Sequence, residues 1–152
     1  MTDKQIRHSL QKAVQTFRIA EKELYRPSKD VVALCACRKM RDSVNEFLHI
    51  FLMSKTYGAD YEKYFDDLLG QCAEIDGQFK VIDLSCFLCS CSQNHFQNCD
   101  DKYCLSNEKI NECFVRAIMV KNLVLAKLNV SEKELDDFYL PHNALSASSF
   151  SQ

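Results

Sequence analysis

Apolar residues recur at steps of three and four along most of the chain, the spacing of one face of an α-helix. A first stripe predicts a helix over residues 3–25. Its members are Ile6, Leu10, Ala13, Phe17, Ala20 and Leu24. Thr2 and Gln5 have the spacing of a capping box at its start. Pro27 indicates its end, because the residue before proline avoids helical backbone angles.

A second stripe with the same steps predicts a helix over residues 29–55. Its members are Ala33, Cys37, Met40, Val44, Phe47 and Phe51. Ser28 is a favourable N-cap, and Gly58 indicates a turn after the helix. Because only a short break separates these two helices, we expect them to form an antiparallel hairpin.

A third stripe begins near Asp60 and passes through Gly70 and Gly77. Its members are Phe65, Leu68, Cys72, Ile75, Phe79, Ile82, Cys86 and Cys89. The pattern fits either one long kinked helix or two helices broken near Gly77. We prefer the break, because Asp76-Gly77 is a typical turn sequence and helices of about 30 residues are uncommon.

The last long helix is predicted over residues 107–128, after a polar loop at 92–105. Ser106 is its N-cap, and Glu108 suits its positive N-terminal end. Its apolar stripe is Ile110, Cys113, Ala117, Val120 and Val124, widened by Phe114, Ile118 and Leu125. This width predicts the most buried helix of the protein.

Beyond it, Ser131 and Glu134 form a second capping box that opens a short helix reaching about Tyr139. We expect residues 141–152, which are small and without period, to be a mobile tail. Three Gly and two Pro in 152 residues are too few for the turns of an all-β protein. The sequence therefore predicts an all-α domain over residues 1–140, an antiparallel up-and-down bundle of four long helices plus a short C-terminal helix.

The composition also narrows the function. The three glycines lack the spacing of a Rossmann or P-loop nucleotide site. The chain starts polar, without a signal-peptide core, and has no stretch of 18 apolar residues, so we expect a cytoplasmic protein without membrane contact. Residues 1–57 hold 11 Lys and Arg against 6 Asp and Glu, and residues 58–152 hold 8 against 15. The basic half could attract an anion, a nucleic acid or the acidic half of a second copy, or it could be ordinary solvated surface.

Nine cysteines raise the question of metal or redox chemistry. Five of them lie close together around His95: Cys86, Cys89, Cys91, Cys99 and Cys104. Thiolates and imidazole are ligands for zinc or an iron–sulfur cluster. Cys86 and Cys89, however, continue an apolar stripe, and buried free cysteine behaves as a small hydrophobic residue. We favour the core role and expect no bound metal or cofactor, with a metal site and a redox switch as alternatives.

The polar face of the second helix is the main candidate binding surface. Arg38, Asp42, Asn45 and His49 share one side of it, flanked by Arg41 and Glu46. Arg and His together can bind a phosphate and move its proton. We therefore name four candidate ligand-binding residues and no catalytic residue. They are Arg38, Arg41, Asn45 and His49. The alternative is a solvent-exposed face with pairs of charges one turn apart.

The first helix carries a cationic strip formed by Arg18, Lys22 and Arg26. It lacks the aromatic residues on which single-stranded bases stack. Nucleic-acid binding is therefore only weakly supported, and a solvated face is the simpler interpretation.

The order of elements resembles the HEPN domain family, the helical bundle of higher eukaryotes and prokaryotes that binds nucleotides. The resemblance covers roughly residues 6–128. It lies in a basic first helix and three later segments, AEKELYRPSKDVVALCACRKMRDSVNEFLHIFL, YEKYFDDLLGQCAEIDGQFKVIDLSCFL and SNEKINECFVRAIMVKNLVLAKL. It implies a four- or five-helix bundle that often pairs as a homodimer. Many members are metal-independent ribonucleases, often toxins with a nucleotidyltransferase-like antitoxin partner.

The chemistry of that family depends on Arg followed four to six residues later by His, near the last long helix. Here Arg116 is the only Arg in residues 107–128, and the next His is His142. The resemblance therefore implies a member without the nuclease motif. Our leading hypothesis is a non-catalytic binding or scaffold module acting through a homodimer or a partner protein. The alternatives are a ribonuclease or nucleotide-processing enzyme using the polar face of the second helix, and a cysteine-based metal-binding regulator.

Overall fold

The computed structural model describes residues 2–24, 33–55, 65–87 and 107–136. The helices in these ranges are α1 (Asp3–Leu24), α2 (Ala33–Lys55), α3 (Phe65–Ile75) and α4 (Asn107–Lys127). Two 3-10 turns, Gly77–Val81 and Ser85–Phe87, follow α3, and a short helix at 132–136 follows α4. The described residues contain no strand, so the predicted all-α class is confirmed for them. None of these helices has the length and apolar character needed to cross a membrane.

Two of the predicted helices have bounds close to those in the structure. The helix predicted over 3–25 is α1, and its capping box is formed: the Thr2 amide donates to Gln5 Oε1 at 2.9 Å, and the Gln5 amide donates to Thr2 Oγ1 at 3.2 Å. The helix predicted over 107–128 is α4. Several predicted features lie outside the described residues: Pro27, Ser28, Gly58, Ser106, the loop at 92–105 and the tail at 141–152.

The α-helix ends before Asp76-Gly77, as predicted. The prediction of a second α-helix directly after this break is wrong for the described residues. Asp76 Oδ1 accepts a hydrogen bond from the Gln78 amide at 3.0 Å, and Asp83 Oδ1 accepts one from the Ser85 amide at 2.9 Å. Such local side-chain bonds compete with the helical pattern. They leave two 3-10 turns joined by an extended stretch that begins at Ile82.

The predicted apolar stripes form the core, with α2 at its centre packing against α1, α3 and α4. The stripe positions that are buried are Leu10, Ala13, Phe17, Ala20, Met40, Val44, Phe47, Phe51, Leu68, Cys72, Phe79, Ile82, Cys86, Ile110, Cys113, Ala117, Val120 and Val124. Phe51 lies against Phe79 with ring centroids 4.7 Å apart, which ties the first 3-10 turn to α2. Phe17 stacks on Phe114 at 5.6 Å, which ties α1 to α4. The segment after α3 therefore belongs to the core without being an α-helix.

Helices α1 and α2 share one buried polar contact. Ser43 of α2 is completely buried, and its hydroxyl donates a 3.0 Å hydrogen bond to the Ala13 carbonyl of α1. A buried hydroxyl needs a partner, because leaving it unpaired costs about 1–3 kcal/mol. The contact therefore fixes which residues of the two helices face each other.

The segment after α4, residues 128–136, folds back onto α1. Asn129 has a φ of 56°, a left-handed conformation that Asn tolerates better than most residues. The Val130 amide then donates to the Leu125 carbonyl at 3.0 Å, which closes the helix end. The predicted capping of the next helix is formed between the Glu134 amide and Ser131 Oγ at 3.1 Å.

This returning segment is anchored by one buried side chain and one buried hydrogen bond. Leu135 is only 1% exposed. Its carbonyl accepts a 2.9 Å hydrogen bond from the side-chain amide of Gln11 on α1. The segment is thus part of the packed structure, in contact with the first helix of the chain.

Candidate functional site

A solvent-open groove of about 320 Å³ lies between α2 and α3. Its lining residues are Asp42, Asn45, Glu46 and His49 from α2 and Leu68 from α3. Residues three, four and seven apart share one face of a helix, so the helical geometry of α2 brings all four polar side chains to the same side. Leu68 closes the other wall with an apolar surface.

The groove includes two of the four predicted ligand-binding residues. Asn45 and His49 line it, whereas Arg38 is exposed and Arg41 is half-buried outside the lining. Arg41 Nη2 instead lies 3.8 Å from Asp42 Oδ1. The grouping of all four around one ligand stays a prediction.

Three of the lining residues, Asp42, Glu46 and Leu68, are not among the predicted ligand-binding residues. The sequence places Asp42 on the polar face of α2 and Glu46 beside it, and the spacing of four residues between them is the signal that they share one side. Leu68 was assigned to the core stripe of α3. Nothing in the sequence of α2 indicates which residue of another helix completes the groove.

Glu46 is the most distinctive acid of the groove. Its Oε1 lies 3.5 Å from the Thr16 hydroxyl of α1. No cation lies within ion-pair distance of its carboxylate in the described parts of the chain. Burial raises the pKa of Glu46, and the negative charge of Asp42 raises it further, against the opposite effects of Thr16 and Lys12. The Glu46 carboxylate is thus half-buried and incompletely compensated.

Asp42 and His49 are shifted in the directions that burial dictates. Burial raises the pKa of Asp42, and the positive charges of Arg41 and Arg38 oppose the shift. Burial lowers the pKa of His49 and so favours its neutral imidazole. The lining residues that the structure describes thus include two carboxyl groups whose pKa burial raises and an imidazole whose neutral form burial favours.

Asn45 contributes a buried acceptor. Its Oδ1 atom has essentially no solvent-accessible surface and no hydrogen-bond partner among the described residues. An unpaired carbonyl-type oxygen out of water costs free energy that an N–H donor would recover. Asn45 Oδ1 is therefore an unmet acceptor closed off from solvent, in a residue that lines the groove.

The described cysteines belong to the core, as their positions in the predicted apolar stripes indicate. Cys72, Cys86 and Cys113 are buried. The Cys72 thiol lies 3.6 Å from the Leu48 carbonyl, and the Cys113 thiol lies 3.7 Å from the Cys86 carbonyl.

The rest of the predicted metal-ligand cluster lies outside the described residues, namely Cys89, Cys91, His95, Cys99 and Cys104. Within residues 2–24, 33–55, 65–87 and 107–136, no three His, Cys, Asp or Glu side chains are grouped so as to hold a metal ion.

The cationic strip of α1 is partly neutralised by the chain itself. Arg18 donates to Glu132 at 3.2 Å and to Asp136 at 2.9 Å, and the hydrogen bond to Asp136 is the main cause of its raised pKa. Arg26 lies outside the described residues, and Lys22 is exposed.

A second basic residue from α4 joins the same cluster. Lys121 pairs with Glu132 and lies 4.5 Å from the centre of the Phe17 ring. The acids that meet Arg18 and Lys121 thus come from residues 132–136 of the same chain.

Comparison of the chain with known protein families, curated protein sequences and solved structures gives no match. The groove and its contacts are therefore the features of the described residues that bear on function.

Proposed function

We propose that this protein is a non-catalytic binding module and that the groove between α2 and α3 is its ligand site. One observation carries the proposal: beside the groove, and among the described residues, the half-buried Glu46 carboxylate has no ion-pair partner and the buried Asn45 Oδ1 has no hydrogen-bond donor. Unmet polar groups of this kind are costly in a purely structural role. Its volume of about 320 Å³ is at the lower end of small-molecule sites.

The proposal also covers the arrangement of the helices, the location of the protein and its partners. We take the helices to form an antiparallel bundle of the HEPN type, acting in the cytoplasm as a homodimer or with a nucleotidyltransferase-like partner. The central position of α2, which packs against α1, α3 and α4, supports a bundle. The resemblance in the order of the helices supports the proposed HEPN-type family and the nucleotidyltransferase-like partner. Sedimentation of the purified protein tests the homodimer directly.

The ribonuclease alternative draws no support from the groove. Two carboxylates line it, and they repel a phosphate. Arg41, which is not among the described lining residues, lies 3.8 Å from Asp42. The alternative of a cysteine-based metal-binding regulator depends on cysteines outside the described residues.

The test is a titration of ¹⁵N-labelled protein, followed by amide chemical shifts, with small amines, amides, AMP and inorganic phosphate. We expect at least one of these probes to shift the resonances of residues 42–49 and 68 in a saturable way. Replacing Asn45 by Leu should weaken that binding, and replacing the exposed Asn122 of α4 by Leu should leave it unchanged. The proposal fails if no probe shifts those resonances or if Asn45→Leu binds as the parent does.

A further inference from the structure

We propose that the protein pairs with a second copy of itself through an exposed basic face of α1, which packs on an exposed acidic face of α3 in the partner. The basic face consists of Lys4, His8 and Lys12. The acidic face consists of Asp67, Gly70 and Glu74. This inference rests on the homodimer of the proposed function and specifies the surfaces that form it.

The basic face of α1 has no ion-pair partner in the described parts of the chain. Its three residues follow one another at steps of four, so they share one side of the helix, and all are exposed. By contrast, Arg7 and Arg18 on the neighbouring side of α1 pair with acids of the segment after α4. Lys12 acts on the Glu46 carboxylate through its charge, without an ion pair. The fold thus leaves one row of positive charge facing solvent.

The glycine at the centre of the acidic face is a second, independent observation. A glycine inside a helix lowers its stability relative to alanine. Gly70 is exposed within α3, its backbone is not left-handed, and a Cβ added there would meet no atom of the described residues within 4 Å. Packing among the described residues therefore does not require a glycine at this position. The missing side chain instead allows another molecule to approach the backbone of α3 closely.

Asp67 and Glu74 place a negative charge on either side of this glycine. Both are exposed, and neither forms an ion pair within the described ranges. They are seven residues apart, about 10 Å along α3, while Lys4 and Lys12 are eight residues apart, about 12 Å along α1. When the two lysines face the two acids, the histidine between the lysines lies opposite the glycine, whichever way the helices run. Charge and shape therefore match in one alignment.

A second copy of the chain satisfies both faces at once. In a two-fold dimer the contact occurs twice, because each copy offers its α1 to the α3 of the other. A nucleic acid would meet only the basic face and would leave the exposed glycine of α3 without a role. Exposed ion pairs contribute little individually, so we expect a weak dimer that depends on close packing at Gly70 as well as on charge.

Sedimentation equilibrium of the full chain over a range of concentrations tests the inference. We expect reversible dimers at about 0.01 M ionic strength and mainly monomers at about 1 M, because the Debye length falls from about 30 Å to about 3 Å. Gly70→Ala should raise the urea midpoint of the monomer at high ionic strength, and yet raise the dissociation constant of the dimer about tenfold or more at low ionic strength. Gly77→Ala makes the same change in the first 3-10 turn, where a Cβ also meets no described atom within 4 Å, and should leave the dissociation constant unchanged.

Two charge-reversed variants test which faces meet. One carries Lys4→Glu with Lys12→Glu, and the other carries Asp67→Lys with Glu74→Lys. Each should be monomeric alone, because like charges then face each other, and an equimolar mixture should associate at low ionic strength. Adding Gly70→Ala to the second variant should weaken the mixed dimer, which a general attraction between oppositely charged proteins would not do. Circular dichroism shows whether each variant is folded, and where a reversed variant is not, the comparison of Gly70→Ala with Gly77→Ala decides.

The outcomes separate this interface from the homodimer itself. If a dimer forms and Gly70→Ala or the charge reversals leave it unchanged, the interface is wrong while the proposed homodimer stands. If the protein is monomeric at every concentration at low ionic strength, the interface and the homodimer both fail, and the proposed ligand groove is unaffected. If the amide resonances of α1 shift with an added RNA duplex while the protein stays monomeric, the basic face binds phosphates and self-association is wrong.

Discussion

The guanidinium of Arg18 and the carboxylate of Asp136 form a two-bonded pair, at 2.9 Å from Nη1 to Oδ1 and 3.3 Å from Nη2 to Oδ2, across 118 residues of sequence. The pair joins the basic first part of the chain to its acidic second part. Glu132 binds the same guanidinium at 3.2 Å. Three charged side chains therefore form one small network between α1 and the segment after α4.

A double-mutant cycle of Arg18→Ala and Asp136→Ala measures this pair. We expect a coupling free energy below about 1 kcal/mol, because the two side chains are 40% and 44% exposed. Added salt should reduce it further by screening. Arg18→Ala alone should destabilise more than Asp136→Ala, because it also loses Glu132. Urea unfolding at low and high salt checks both statements, and a coupling insensitive to salt would contradict them.

Leu135→Ala should be the more damaging change in the same segment. The Leu135 side chain is 1% exposed, and removing such a side chain costs about 2–4 kcal/mol through lost burial and the cavity left behind. Lys133→Ala, at an exposed neighbouring position, is the control and should be close to neutral. The measurement is the free energy of unfolding in urea. Equal effects of the two variants would show that the segment is held mainly by its charges.

The helical core was predictable from sequence because burial and helical period coincide there. In α4, the stripe from Ile110 to Val124 was named from its spacing alone and is buried. In the segment after α3, Phe79 and Ile82 were correctly assigned to the core but to the wrong secondary structure. Their spacing of three residues is compatible with a 3-10 turn as well as an α-helix, and the side chains of Asp76 and Asp83 decide between the two locally.

The candidate site was only partly predictable for a different reason. The polar face of α2 follows from helical geometry, so Asn45 and His49 could be named. Which helix packs beside that face depends on tertiary contacts, so Leu68 could not be assigned to the groove. The hydroxyl that meets Glu46 comes from Thr16 of α1, a contact that no local pattern encodes.

Glu46→Gln should stabilise the protein at neutral pH. The pKa of Glu46 is raised in the folded state, so the folded protein holds the proton more tightly than the unfolded chain. Stability from this group is full below the unfolded pKa and is lost as the pH rises through the folded pKa. The variant should therefore raise the urea midpoint at pH 7. It should have little effect at pH values below the pKa of Glu46 in the unfolded chain. Exposed Glu74→Gln serves as the comparison, and a gain confined to acidic pH would contradict the assignment.

Cys72 should be unreactive towards thiol reagents while the protein is folded. Burial raises the pKa of its thiol to about 12, and the thiolate is the reactive form. Alkylation at pH 8, followed by peptide mass spectrometry, should leave Cys72 unmodified in buffer and modify it in concentrated urea. Modification in buffer at the rate seen in urea would show that the region around α3 opens readily.

The Ser43 hydrogen bond to the Ala13 carbonyl has a consequence for how the chain selects one structure among similar ones. The apolar stripes of α1 and α2 repeat with the same period, so sliding one helix by a turn would again bring apolar residues together. Such a displaced packing would bring Ser43 opposite Leu10 or Phe17 in place of Ala13, and their larger side chains would keep its hydroxyl from the α1 backbone and leave it unpaired. One polar atom thus adds little to the overall stability, yet it widens the energy gap between the native alignment of the helices and its nearest competitors.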